Sequence, residues 1–205
     1  MSRERMLISF LFLLCCLLVV SGVRPYDRAT WLMETAPVFI ALPVLVLTYR
    51  RFSLTSLLYI LIFLHATILI TGGAYTYARV PLGFWVQDMF HFSRNPYDRL
   101  GHFFQGLVPA LIAREVLIRG GYVTNRRMVS FLAVCVAMAI SAWYELLEWL
   151  AAVLLGQRAD DFLGTQGDPW DTQWDMFMCF VGSLVATFGL SREHERQMKK
   201  LASIE

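Results

Sequence analysis

Six apolar blocks govern what this chain can fold into. They fall at about residues 6–23, 31–49, 54–71, 98–118, 128–155 and 171–190. A bilayer core takes about 20 apolar residues in helical form, and each block is that long or nearly so. Lipid offers backbone N–H and C=O groups no partners, so only helices and closed barrels cross it. Barrel strands alternate apolar and polar residues, and these blocks do not. The pattern predicts an all-α polytopic membrane protein, a six-transmembrane-helix bundle in a single membrane domain over 1–205. Hydrophobic residues make up 57% of the chain, against about 45–50% in soluble domains.

The remaining composition narrows the function class. A formal net charge of +2 and the lack of a basic patch interleaved with aromatics argue against a nucleic-acid partner. Membrane lipids are the expected surroundings. Cys15, Cys16, Cys135 and Cys179 all lie in apolar blocks, without CxxC or zinc-type spacing. They read as small hydrophobes rather than a disulfide framework. Arg3 and Arg5 before the first block, with Ser21 and Gly22 near its end, resemble a signal peptide. Val20 is bulky where cleavage favours a small residue, so the block reads as a span. The segment 191–205 is polar and mixed in charge, and reads as a short cytoplasmic helix or a frayed end.

Three blocks carry more than one acid each or an acid beside a His. In the fourth, Asp98, His102, Gln105 and Pro109 share one helical face. In the fifth, Ser141, Glu145, Glu148 and Ala152 form a second stripe. In the sixth, Asp171 and Asp175 lead into Met178, Gly182 and Ala186. With alternating directions, Glu148 lies about 10 Å below the outer boundary, and His102 and Asp175 about 6 Å below it. Ionisable groups at such depth face the bundle interior and mark function. Clustered acids repel, so they call for protons, cations or basic partners. Arg94, Arg99, Arg158 and His102 are the candidates within the chain.

Plainer readings stand beside this one. Asp171 and Asp98 also suit the positive end of a helix dipole. Asp168, before Pro169, suits a turn, and Asp160 and Asp161 read as solvated loop residues. Glu145 and Glu148 could form a structural ion pair with Arg99 or bond a tyrosine. His65 reads as packing or interhelical bonding. The long connection between helices 3 and 4 predicts an interfacial or half-inserted segment around 82–92, with Gln87, Asp88 and His91 beside the pocket. Its aromatics suit the membrane interface. Pro37, Pro43 and Pro109 should bend their helices. Gly182 and Ala186 allow close helix contact.

At "YDRLGHFFQGL", "YELLEW" and "GDPWDTQWDM" the chain resembles the YjdF family of bacterial inner-membrane proteins, a domain of unknown function. That resemblance covers essentially the whole chain. It implies a multi-pass protein of the bacterial inner (cytoplasmic) membrane and supplies no reaction. The chain is also similar, more faintly, to VanZ-like membrane proteins associated with glycopeptide resistance. Asp98 with His102, then Glu145 or Glu148, then Asp175 and Gly182 fit that pattern, and Cys179 stands where it has Asn.

The residues lead to a metal-dependent enzyme acting on a lipid or cell-envelope precursor. His102, Glu145, Glu148 and Asp175 would bind one or two divalent metal ions, and Asp98 and Asp171 would support the ligands or act as base. Oxygen ligands suit magnesium, manganese or calcium, and a His admits zinc or iron. The alternatives are a small-solute or proton-coupled transport protein, for which a homodimer would supply more helices, and a structural role. With the N-terminus inside, eleven Lys/Arg face inward against five outward, leaving Arg99 and Arg114 within helix four. The positive-inside rule then puts both termini in the cytoplasm. Reporter fusions at each end test this: a fluorescent protein should light up at both, and an export-dependent phosphatase at neither.

Overall fold

The computed structural model describes residues 2–155 and 166–203. Among these residues every regular element is helical and no strand occurs. The helices are α1 (Arg3–Val23), α2 (Arg28–Thr48), α3 (Ser56–Tyr75), α4 (Pro81–Phe90), α5 (Tyr97–Arg119), α6 (Arg126–Leu155), α7 (Asp171–Leu184) and α8 (Ser191–Ala202). A 3₁₀ turn at Tyr77–Arg79 precedes α4, and a π-helical stretch at Val185–Gly189 extends α7.

Local chemistry explains the boundaries. Ser2 caps α1, its hydroxyl accepting from the Arg5 N–H. Asp27 caps α2, accepting from the Thr30 N–H at 2.8 Å. That cap starts the helix three residues before Trp31, where the apolar run begins. The third helix outlasts the expected end at 71 because Gly72 and Gly73 pack tightly. A Cβ at Gly72 would meet the Tyr77 ring, and one at Gly73 would press on Trp31 and Glu34. Pro81 opens α4 at its first turn, where no amide hydrogen is needed. Ten residues span about 15 Å, too short to cross a bilayer.

Helices α1, α2, α3 and α6 are long and apolar enough to cross a membrane. Asp171–Gly189 and Ser191–Ala202, bent by 59°, add a fifth if taken as one broken span. Helix α5 has 23 residues, about 34 Å of helix, and so has the length. Its polarity sets it apart, since it carries Asp98, Arg99, His102, Arg114, Glu115 and Arg119. Of these, Asp98, His102, Arg114 and Glu115 are buried. Outward surfaces are strongly apolar, as with Val20, Leu47, Leu154 and Phe188. Charges inside and large aliphatic side chains outside invert the soluble pattern, and fit a lipid surround.

The chain divides into two compact units. One comprises 1–53, 63–101 and 152–169. It is built on Leu14, Leu18, Val38, Ala66 and Ile70, with a second cluster of Tyr77, Val80 and Tyr97. The other comprises 54–62, 102–151 and 170–205. Leu58, Leu111, Val129, Ala133, Ala137, Cys179 and Ala186 are fully enclosed there. In this second unit α5 and α7 meet through glycines. A Cβ on Gly106 would run into the Cys179 carbonyl oxygen, and one on Gly182 into that of Phe103. The small step at Gly182 and Ala186 is thus a close crossing, and Gly106 is its counterpart.

Overpacking such a contact costs about 1–3 kcal/mol. Gly106→Leu should lower the melting temperature of the detergent-solubilised protein by several degrees. Gly189→Ala, where the added carbon meets only Val185 at 3.6 Å, should leave it nearly unchanged.

Candidate functional site

Three helices of the second unit bring ionisable groups together. His102 comes from α5, Glu145 from α6 and Asp175 from α7, at 6%, 9% and 2% exposure. The Glu145 Oε1 lies 3.8 Å from His102 Nδ1, and the Asp175 Oδ2 lies 3.9 Å from His102 Nε2. Each carboxylate therefore addresses a different ring nitrogen. Gln105, one turn on, places its Oε1 at 3.0 Å from Nδ1. A carbonyl oxygen only accepts, so a neutral ring donating from Nδ1 to Gln105 would turn its Nε2 lone pair toward Asp175. A separation of 3.9 Å is too long for a direct hydrogen bond. Two ligands about 2.1 Å from one ion stand up to about 4.2 Å apart, so this gap suits a bridging cation. A His whose far nitrogen is held by a carbonyl or carboxylate is the usual form of a metal-ligating imidazole.

The helical stripes are close to those expected, with one shift. On α7 the buried face runs Asp171, Asp175, Cys179, Gly182 and Ser183. It passes through Cys179, and Met178 is only half-buried. The reason is the crossing at Gly106, which takes the Cys179 backbone as its contact. The Cys179 thiol donates toward the Ala137 carbonyl at 3.5 Å. On α6, Ser141 and Glu145 are buried and Glu148 is half-buried, so Glu145 provides the acid facing His102. Asp171 is buried one turn before Asp175.

Asp98 lies in the first unit, within a network of charge pairs. Arg94, itself buried, is 3.6 Å from Asp98 and 3.5 Å from Asp168. Arg99 reaches Asp168 at 3.4 Å. Asp168 thus does more than shape a turn. It secures the segment before α7 to the start of α5. Gln166 adds to this by exchanging two hydrogen bonds with the Asn95 backbone, at 2.9 and 3.0 Å. Those bonds hold Gln166 at a φ of +49°, unusual for a non-glycine residue. Asn95 also bonds the Val80 carbonyl and the Tyr97 N–H, and leaves no room for a side chain at Gly83. Arg158, Asp160 and Asp161 lie outside the described residues. Asp88 and His91 are exposed, so neither lines a buried recess as expected. They sit on the open face of α4, and His91 ends that helix in a left-handed turn. His65 and Gln87 are half-buried.

A family model described as "Predicted membrane protein (DUF2238)" matches residues 6–196. The chain belongs to this family. It is 59% identical over 191 residues to Inner membrane protein YjdF of Escherichia coli (strain K12), covering 93% of this chain and 91% of that protein. The expected kinship is therefore borne out. No solved structure matches the chain.

Two buried features of this family member escape a reading by motif. Glu34 on α2 is 5% exposed, and its only signal was a single acid inside an apolar block. The second feature is a network at the far end of α5. There Glu115, fully buried, accepts from the Thr55 N–H at 3.0 Å, the Thr55 hydroxyl at 2.9 Å and Arg119 at 2.8 Å. His194, fully buried on α8, approaches its other oxygen at 2.8 Å. Beside it Arg114 donates to Glu195 at 2.9 Å and to Ser130 at 3.2 Å. The tail is consequently a docked helix and not a frayed end. Nothing in one helix announces a partner 79 residues away, so spacing could not find this pair.

Removing one partner of a buried charge pair costs about 3–5 kcal/mol. Glu115→Ala should lower the melting temperature strongly and make residues 190–203 sensitive to protease. Lys199→Ala, on the exposed side of α8, should do neither.

Proposed function

We propose that this chain is a multi-pass inner-membrane protein in which His102 Nε2 and Asp175 hold a divalent cation, with Glu145 steadying the other ring nitrogen, and which acts on a lipid or cell-envelope precursor. The observation that carries the reading is the buried imidazole with one carboxylate at each nitrogen. The donor set of nitrogen and carboxylate oxygen suits manganese, iron or zinc. Glu148, one turn on from Glu145 on α6, would be a further ligand. Asp171, one turn before Asp175, would hold the ligand in place or take a proton. A bound cation would supply Lewis-acid chemistry or an activated water.

The reading includes a topology. We take α5 as a sixth span, made polar by its site, and α4 as an interfacial segment, giving one membrane domain with both termini in the cytoplasm. The length of α5 and the shortness of α4 support this, as does the surplus of Lys/Arg on one side. Inner-membrane placement follows the relative's name. A second reading has one specific support. Acids on both ring nitrogens form a line, Glu145–His102–Asp175, suited to passing a proton. A homodimer would then supply the additional helices of a carrier.

Elemental analysis of gently purified protein separates the two. The metal reading expects about one equivalent of a divalent metal, lost in Asp175→Asn and in Glu145→Gln. Metal-free protein of normal stability would sink it. Proton flux into liposomes that disappears with Glu145→Gln would then support the second reading.

A further inference from the structure

The last helix sorts its charges. In sequence α8 reads SREHERQMKKLA, with acids and bases mixed. In the folded chain His194 and Met198 are buried. Glu195 is held by Arg114 at 2.9 Å and lies 3.5 Å from Arg126. Glu193 pairs with Arg196 at 2.8 Å and accepts from Gln197 at 2.8 Å. The Arg196 hydrogen bond holds the Glu193 carboxyl below its ordinary range, so it stays ionised and paired. Arg192, Arg196, Lys199 and Lys200 remain exposed. At 100° per residue these four fall within an arc of about 100°, opposite His194 and Met198.

The anchoring fixes this arc in rotation. His194 is tied to Glu115 at 2.8 Å, and Gln197 accepts from the Leu57 N–H at 2.9 Å. Position matters as much. Ser191 follows the end of the Asp171–Gly189 segment almost directly, and α8 turns 59° away from it. For a span set across the bilayer, a helix so turned runs closer to the membrane plane than to the span. We propose that the basic arc of α8 is a binding site for the anionic headgroups of phospholipids in the adjoining leaflet.

The chemistry fits that ligand. Guanidinium groups bond phosphate oxygens in pairs, and ammonium groups act as point charges. Met198 is buried and Leu201 half-buried, so α8 has no large exposed apolar side chain to insert. Attraction is then electrostatic, worth about fivefold in affinity for each basic residue near an anionic surface. Headgroups surround any such site at high local concentration, which a soluble partner does not match. This inference is independent of the His102 site.

The test uses the full chain in neutral detergent, mixed with phosphatidylglycerol and phosphatidylcholine in equal amounts. Lipid retained per protein is counted by native mass spectrometry. Phosphatidylglycerol should be retained in preference. The preference should fall about tenfold or more in the triple variant Arg192→Gln, Lys199→Gln, Lys200→Gln, which spares Arg196 and its partner. It should also fade in about 1 M salt, where charges are screened beyond about 3 Å. Should the triple variant unfold, Lys199→Gln with Lys200→Gln alone, both exposed, should still lower the preference about tenfold. Equal retention of both lipids, or a preference that ignores salt and substitution, overturns the proposal.

Discussion

Two helices can carry functional groups to one point only if their backbones come close enough. In this protein α5 and α7 do so through Gly106 and Gly182, each lying against the other helix's carbonyl oxygens. Membrane helices gain little from hydrophobic sorting against one another, because lipid is as apolar as their side chains. Close packing and polar contacts must hold them instead. The glycine crossing supplies the first. It also sets the 3.9 Å between His102 and Asp175, since Gly106 stands one turn from His102 and Gly182 two turns from Asp175. A bulkier crossing would part the site as well as weaken the unit.

Polar contacts supply the second hold, and they differ in character. Arg94 with Asp98 and Asp168, and Glu115 with Arg119, join opposite charges at short range, and His194 meets Glu115 at 2.8 Å. They fasten the segment before α7 in one unit and the tail helix in the other. The His102 group sets two acids around one imidazole, at separations beyond a direct hydrogen bond. Fastening and the proposed site thus occupy different clusters on α5. The same helix serves both because its 23 residues carry polar groups near each end.

Much of this was legible in the order of residues. Apolar block length located the long helices to within a few residues. Helical spacing found His102, Glu145, Asp171 and Asp175 as members of inward faces. It overrated Asp88 and His91, which lie in an aromatic-rich connection but face outward. It took Asp168 for a turn residue and passed over Glu115, Glu34 and Gly106. Asp168, Glu115 and Gly106 depend on partners far along the chain, and periodicity within one helix carries no information about the neighbour across it. The tail helix shows the same limit: a mixed run of charges becomes a basic face because Glu195 is taken up by Arg114.

The sequence by itself determined that this chain is helical and bound for a membrane, because bilayer thickness and the cost of unpaired backbone groups leave no other form for such apolar blocks. It determined too which residues could share a helix face, because 3.6 residues per turn is a local rule. Tertiary structure decided which acid meets which ring nitrogen, which glycines touch backbone, and which charges pair out of sight. Those outcomes rest on the angle and closeness at which helices cross, and these arise from many side chains acting together.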